Sequence, residues 1–222
     1  MEREVRPRLR RGEGRSGLSF GRRASVVALL LFVGCGPAFA ANPIGKVDRV
    51  QGEAQGTSGG TTAVLVTGSP VSLNEILTTG PDGRLALTLD DGTGLTLGEK
   101  ARLAVDRFVY DPTGASTLHA DIAGAYRFIA GKLQLGATKD ASVTTPSAVI
   151  GVRGTDFWGG PIDGEIGVVL LEGSVTVTTA TGAAILATPG QGVNINAAAS
   201  LSAVTTWPDD KRSRALATVT FR

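Results

Sequence analysis

Residues 84–97 read RLALTLDDGTGLTL. Leu85, Leu87 and Leu89 recur at period two, which puts them on one face of a strand. Gly92 and Gly94 supply the positive φ that a tight reversal needs, so the segment predicts a β-hairpin. Similar apolar pieces recur at Gly45–Val50, Ala63–Val66, Ala101–Tyr110, Ile166–Leu171, Gly173–Thr178, Ala183–Ala187 and Val193–Ile195. In Ala101–Tyr110, Leu103 and Val105 share a face. A Gly/Ser/Thr stretch, Gln55–Thr62, predicts a flexible loop between the first two pieces, and Leu73–Leu77 a short connection. Ala180–Gly182 and Pro189–Gly192 carry turn residues. Strands separated by turn signals at this spacing predict an all-β sandwich, roll or barrel.

Leu118–Leu135 fits two periods. Leu118, Ala120, Ile122, Tyr126 and Phe128 alternate as in a strand, while Leu118, Ile122, Tyr126, Ile129 and Leu133 make a helical stripe. Gly124 and Gly131 would each cost a helix about 1 kcal/mol, so the segment predicts two strands with a turn near Gly131. The expected fold is all-β: a single domain of short antiparallel strands in a sandwich or roll. A β-solenoid-like arrangement is the alternative, because the strand–turn–strand units at 85–97 and 174–186 look alike. The domain is expected over 41–196, with its motif core at about 78–178. Residues 197–222 read as an Ala/Ser-rich linker, a polar stretch from Trp207 to Arg214, and a possible last strand from Leu216 to Arg222. Phe221 near the end resembles the terminus of an outer-membrane barrel, but other segments lack the lipid-facing alternation of about ten residues.

The N-terminus changes the charge picture. Residues 1–23 hold eight arginines and three glutamates, Ala24–Val33 is apolar, and Ala38-Phe39-Ala40 offers a small–x–small cleavage site. Residues 1–40 therefore read as a secretory signal peptide. An apolar core this short does not reach the roughly 20 residues a membrane helix needs, and no transmembrane helix is expected after cleavage. An uncleaved anchor over Ser25–Ala41 and a lipoprotein anchored at Cys35 are the alternatives; Phe32-Val33-Gly34-Cys35 is a loose lipobox. The whole chain carries a net +2, but removing the segment leaves 14 basic and 17 acidic residues, a net of −3. The basic balance thus belongs to targeting and does not predict nucleic-acid binding. The one cysteine leaves with the signal or carries a lipid, so the mature domain rests on its own core without disulfides. The expected location is the periplasm or the exterior.

Catalytic chemistry is sparse. The one histidine, His119, falls in a predicted strand, and without cysteine the usual nucleophile–base pairs and zinc clusters are not assembled. Neither a P-loop nor a nucleophile elbow occurs. Asp90-Asp91 and Asp156/Asp163/Glu165 could act as glycosidase-like pairs or bind calcium; turn chemistry is the simpler account of Asp-Asp-Gly. The chain is read as a non-enzyme, with no catalytic, cofactor or metal residues. Trp158 and Trp207 are candidate ligand-stacking platforms; Trp158, flanked with Phe157 by glycines, is a candidate contact surface and otherwise caps the core. In Gly151-Val152-Arg153-Gly154 the glycines predict a bulge or corner, with Arg153 and Asp156 placed to pair across it.

Several ordered motifs carry a resemblance. They are Thr79–Leu87, Asp91–Gly98, Phe108–Pro112, Gly131-Lys132, Thr145–Phe157 (TPSAVIGVRGTDF), Leu171–Val177 and Pro189–Gly192. Over about residues 45–195 the chain resembles the FecR-type periplasmic domain family. In that family the resemblance implies an all-β module outside the inner membrane that senses an outer-membrane iron-siderophore receptor and signals to a cytoplasmic sigma factor. Gly151, Arg153, Gly154, Thr155 and Asp156 would be family-motif residues with a structural role. Only 23 residues precede the apolar segment, so a cytoplasmic sigma-regulating segment is not expected here. The expected function is an exported FecR-like domain that binds a partner protein or an envelope glycan, in envelope or iron-uptake signalling. A structural or polysaccharide-associated envelope protein is the alternative.

Overall fold

A computed structural model describes residues 43–111, 115–131 and 138–222. The signal peptide expected over 1–40, Cys35 and Lys132 lie outside the described residues.

The chain opens with β1 (Pro43–Gln51), then β2 (Ala54–Ser58) and β3 (Thr61–Val64). The stretch expected as a flexible loop is thus the β2–β3 hairpin, paired from Gln55↔Val64 to Ser58↔Thr61. Gly59 and Gly60, at φ 56° and 80°, make its two-residue turn, a geometry that glycine adopts without strain. Next come β4 (Pro70–Ser72), β5 (Ile76–Thr79), β6 (Arg84–Leu89) and β7 (Gly94–Leu97). β6 and β7 form the expected hairpin, with Leu85 opposite Leu97 and Leu87 opposite Leu95. Leu85, Leu87 and Leu89 are all buried. Each such leucine contributes about 1.5–3 kcal/mol relative to exposure.

β8 (Arg102–Val109) pairs with β9 (Ala115–Ala123), and β10 (Tyr126–Ile129) follows. The turn between β9 and β10 is at Gly124, at φ 96°, not near Gly131. Gly124 sits where an added Cβ would meet Ala101 at 2.8 Å, so the chain can fold closely there only as glycine. β11 (Thr138–Thr144) returns to lie parallel to β9, one departure from an antiparallel set. Parallel neighbours need a crossover of a dozen or more residues, and the excursion through β10 provides it.

Two long strands form the spine: β12 (Val149–Ile162) and β13 (Glu165–Thr179). The pieces expected separately at 166–171 and 173–178 are one strand. On one edge β12 pairs first with β11 and then with β10. One wing of the sheet runs from β11 through β9, β8, β5 and β2 to β3, and the other from β10 through β7, β6 and β1 to β4. Both wings feed one hydrophobic core: Leu77, Leu103 and Leu118 from the first, Val47, Leu87 and Phe128 from the second. The fold is therefore all-β, a single sheet rolled onto its own core. β14 (Gly182–Leu186) and β15 (Gln191–Ile195) pair with opposite ends of β13.

The C-terminal expectation is corrected. β16 (Thr205–Thr206) pairs with β15, and α1 (Asp209–Ala217) follows. Leu216 lies in the last turn of that helix and residues 218–222 form no strand. Pro208 precedes the helix at φ −57°, Asp209 and Asp210 sit in its first turn and Arg214 in its last, each charge favourable to the helix dipole. The helix covers a second, smaller core on the outer face of the spine, built from Ala125, Trp158, Val169, Trp207, Ala215 and Val219.

Candidate functional site

The segment TPSAVIGVRGTDFWGG becomes the β11–β12 turn and nearly all of β12. Thr145 organises the turn: its Oγ1 accepts the Ala148 N–H at 3.0 Å. β12 then runs in register with β13 until Arg153 faces Ser174. The next pair is Asp156 with Glu172, so Gly154 and Thr155 together oppose Gly173. This is a β-bulge, and a compensating shift between Asp156 and Phe157 follows at once. Gly154 is at φ 59° and Gly173 at φ 80°. A Cβ on Gly173 would lie 2.0 Å from the Gly154 carbonyl oxygen, so the opposing strand must carry glycine at that point. Gly151, expected to share the corner, is an ordinary strand residue opposite Thr176.

Thr155 holds the bulge. It is 2% exposed, its Oγ1 donates to the Ser174 carbonyl at 2.6 Å, and the same oxygen accepts the Arg153 N–H at 3.1 Å. One side chain thereby satisfies backbone groups on both strands that the interrupted ladder would leave unpaired. Asp156 does not pair with Arg153. Its two oxygens accept Nε and Nη2 of Arg127 on β10, at 2.9 and 2.6 Å. A planar guanidinium on the adjacent strand can present both donors to one carboxylate, and this hydrogen bond raises the Arg127 pKa.

The bulge also switches which residues face inward. Before it, Ile150 and Val152 point into the main core; after it, Phe157 does. Inserting one residue flips the alternation. Phe157 stacks on Phe128 at 5.5 Å and meets Tyr126 edge-on at 5.8 Å. Trp158 consequently faces outward, under α1, where its Nε1 donates to Thr218 Oγ1 at 3.0 Å and its ring meets Trp207 at 6.3 Å. Phe157 and Trp158 are both 0% exposed, so neither is the contact surface expected from their glycine flanks. Trp207, 3% exposed, caps the outer core: its ring lies over Gly192 and Gly167, and Lys211 lies 4.3 Å from its centroid.

The carboxylates singled out as acid–base candidates have structural partners. Asp163 accepts Arg214 Nη1 at 2.5 Å and lies 3.4 Å from Lys211 Nζ, tying the β12–β13 turn to α1. The Arg214 hydrogen bond is the chief cause of the lowered Asp163 pKa. Glu165 accepts Asn194 Nδ2 at 2.7 Å. Asp91 is buried and accepts Thr93 N–H and Oγ1 at 2.9 and 2.6 Å, turn chemistry within the β6–β7 connection.

Two groupings were not read from the sequence. On the outer face, oxygens of Asp106 and Asp121 and a ring nitrogen of His119 lie within 4.8 Å of one another. Asp106 follows buried Val105 on the opposite face of β8 and is the extra residue at the register shift between Val105 and Arg107. His119 Nδ1 is 2.5 Å from Asp106 Oδ1 and Nε2 is 2.8 Å from Thr144 Oγ1, so both nitrogens already have partners. The second grouping is a half-open cleft of about 70 Å³ at one end of the main core. It lies between the Thr145–Ser147 turn, Ile122, Tyr126, Ile150 and the start of β13. The Tyr126 hydroxyl is buried and finds no hydrogen-bond partner among the described residues. Burial pushes its pKa up, so it stays a neutral phenol.

Residues 75–176 match the family described as "FecR protein". Two crystal structures described as "a putative anti-sigma factor from Parabacteroides distasonis ATCC 8503" share the fold, with TM-scores of 0.53 and 0.52 at 19% identity. The alignments cover 64% of this chain and 64% and 63% of those chains. No curated protein matches the chain in sequence. Among the described residues, no helix is long and apolar enough to cross a membrane.

Proposed function

We propose that the chain is an exported, non-enzymatic FecR-type module that binds a protein partner in signalling at the cell envelope. The observation that carries this reading is the FecR match over 75–176, which spans the bulge motif. The fold shared with structures described as "a putative anti-sigma factor" supports a regulatory role. The site geometry supports a binding module over an enzyme: Asp91, Asp156, Asp163 and Glu165 each accept hydrogen bonds that stabilise the fold. The signal peptide read over 1–40 supports a location outside the inner membrane.

The test is retention from envelope extracts on the immobilised full chain, with isolated cell wall sedimented against the same protein. Partner binding predicts one polypeptide retained across several growth conditions and displaced by free protein. Sedimentation with cell wall and no retained polypeptide would instead establish the polysaccharide-associated role.

A further inference from the structure

β14 pairs with β13 and with no other strand among the described residues. Thr179 and Gly182 flank the two-residue turn between them and exchange the first pair of bonds, so Val177–Ala184 and Val175–Leu186 exchange the next ones. The N–H and C=O groups of Ala183 and Ile185 therefore point away from β13. Opposite them runs the segment 200–204, across an open groove of about 520 Å³. Here Asn196 N–H donates to the Ser200 carbonyl at 3.1 Å and Ser202 N–H to the Asn194 carbonyl at 2.8 Å. Leu201, bridged to Ile195 between those bonds, turns its own N–H and C=O away from β15. The Thr181 hydroxyl donates to the Ala199 carbonyl at 2.7 Å and joins the two walls at one end.

The free groups are open to solvent. Gly182, Ala183 and Ile185 are exposed, and side chains as small as those of Ala183, Ala184 and Ser202 leave the backbone uncovered. Sheet edges are ordinarily blunted by proline, by a bulge or by charge. β4 opens on Pro70, but β14 has no proline, its register runs without a shift, and the chain carries no charged residue between Glu172 and Asp209. Donors and acceptors that recur every second residue match the backbone of an extended polypeptide. Sugar hydroxyls lack that spacing, and an anionic polymer would find no counter-charge. A second copy of the chain would bring its own β13 behind its edge, where the 200–204 wall already stands. The groove suits a strand with no sheet of its own behind it.

We propose that this groove takes an extended segment of the partner polypeptide as an added strand, hydrogen-bonded to Ala183 and Ile185 on one side and to Leu201 on the other. The proposal rests on the partner-binding reading above and names its contact point. Ala184, Leu201 and Val204 are half-buried against the main core, so they form an apolar floor. The added strand thus alternates, with apolar residues facing that floor and polar ones facing out. Ladder bonds supply affinity in such strand addition, and the floor supplies preference.

The test is amide hydrogen exchange of the full chain, read residue by residue by NMR, with three probes. They are the peptide acetyl-Lys-Val-Thr-Val-Thr-Val-Lys-amide, the same peptide N-methylated at its central valine and both threonines, and N-acetylglucosamine. In the protein alone the Ala183, Ile185 and Leu201 amides are expected to exchange freely. The first peptide should slow all three saturably. The N-methylated peptide keeps the side chains but loses donors on both edges, and should bind at least about tenfold more weakly. Ile185→Pro removes an N–H that β13 does not use, a place where an edge strand tolerates proline. It should weaken peptide binding comparably and leave the melting temperature nearly unchanged. Equal binding of the two peptides, protection by N-acetylglucosamine, or slow exchange in the protein alone would overturn the assignment. Protection that grows with protein concentration would give the edge to a second copy and overturn it too. An envelope polypeptide retained equally by wild type and Ile185→Pro would overturn the groove and leave partner binding standing. Peptide binding with no retained polypeptide would remove the partner-binding reading and leave the strand site.

Discussion

Asp156 on β12 and Arg127 on β10 form a two-point ion pair, Nε to Oδ1 at 2.9 Å and Nη2 to Oδ2 at 2.6 Å. The carboxylate belongs to the bulge motif and the guanidinium to the strand beside it, so the pair fastens the wing that begins at β10 to the spine. Asp156 is 16% exposed and Arg127 39%. That exposure discounts the interaction for solvent screening. Asp156→Ala and Arg127→Ala should each cost about 1–2 kcal/mol, with a coupling of about 1 kcal/mol in the double-mutant cycle. Urea unfolding of the four proteins measures it; additive losses would mean that the pair contributes nothing. Arg153→Ala, by contrast, should stay within about 0.5 kcal/mol of wild type, because Arg153 is exposed and Asp156 pairs elsewhere.

The three glycines of the bulge region should separate by cost. Gly173→Ala puts a methyl 2.0 Å from a carbonyl oxygen at φ 80°, and should lose more than about 2 kcal/mol. Gly154→Ala enters open space but keeps φ 59°, for about 1 kcal/mol. Gly151→Ala has an ordinary strand φ and its nearest contact at 3.9 Å, so it should be neutral or stabilising. Equal losses at Gly151 and Gly154 would restore a two-glycine corner.

How much of this was legible beforehand depends on the range of the interaction. The β6–β7 hairpin could be read because Leu85, Leu87, Leu89 and Gly92 encode strand and turn within a few residues. The bulge could be suspected from its glycines. Its partner Gly173 could not, because that constraint arises only when β13 is laid against β12. The same holds for Phe157 and Trp158. Their burial follows from the inserted residue and from α1, and the glycines around them signal close packing against Tyr126 and Ala125, not an exposed loop. The Tyr126 cleft and the Asp106–His119 contact join separate strands, so no local pattern marks them.

Helix α1 should act as a lid over Trp158. Trp207→Ala removes the ring lying over Gly167 and Gly192 and should cost about 3–5 kcal/mol. It leaves Trp158 as the one tryptophan, so its emission reports directly on the outer core. A red shift with easier acrylamide quenching is expected; unchanged emission would mean that the helix stays seated without Trp207.

Acid should loosen the same helix. The Asp163 pKa is lowered in the folded protein, chiefly by its hydrogen bond from Arg214. A depressed folded pKa gives stability that is present above the unfolded value, near 4, and lost as pH falls through the lower folded value. The melting temperature should therefore fall more steeply below about pH 4 in wild type than in Asp163→Asn. Parallel profiles would show that the Asp163–Arg214 contact contributes no pH-dependent stability.

The central claim is that the Gly-Val-Arg-Gly-Thr-Asp motif builds the fold and that recognition lies elsewhere. Thr155→Val tests it most directly, since it removes the hydroxyl that bridges Arg153 and Ser174 without changing the buried volume much. The measurement is thermal unfolding together with affinity for the retained envelope polypeptide, taken well below the transition. The account predicts a melting temperature lowered by several degrees, for a loss of about 1–3 kcal/mol, and unchanged affinity. An unchanged melting temperature with lost affinity would contradict it and make the motif a contact site.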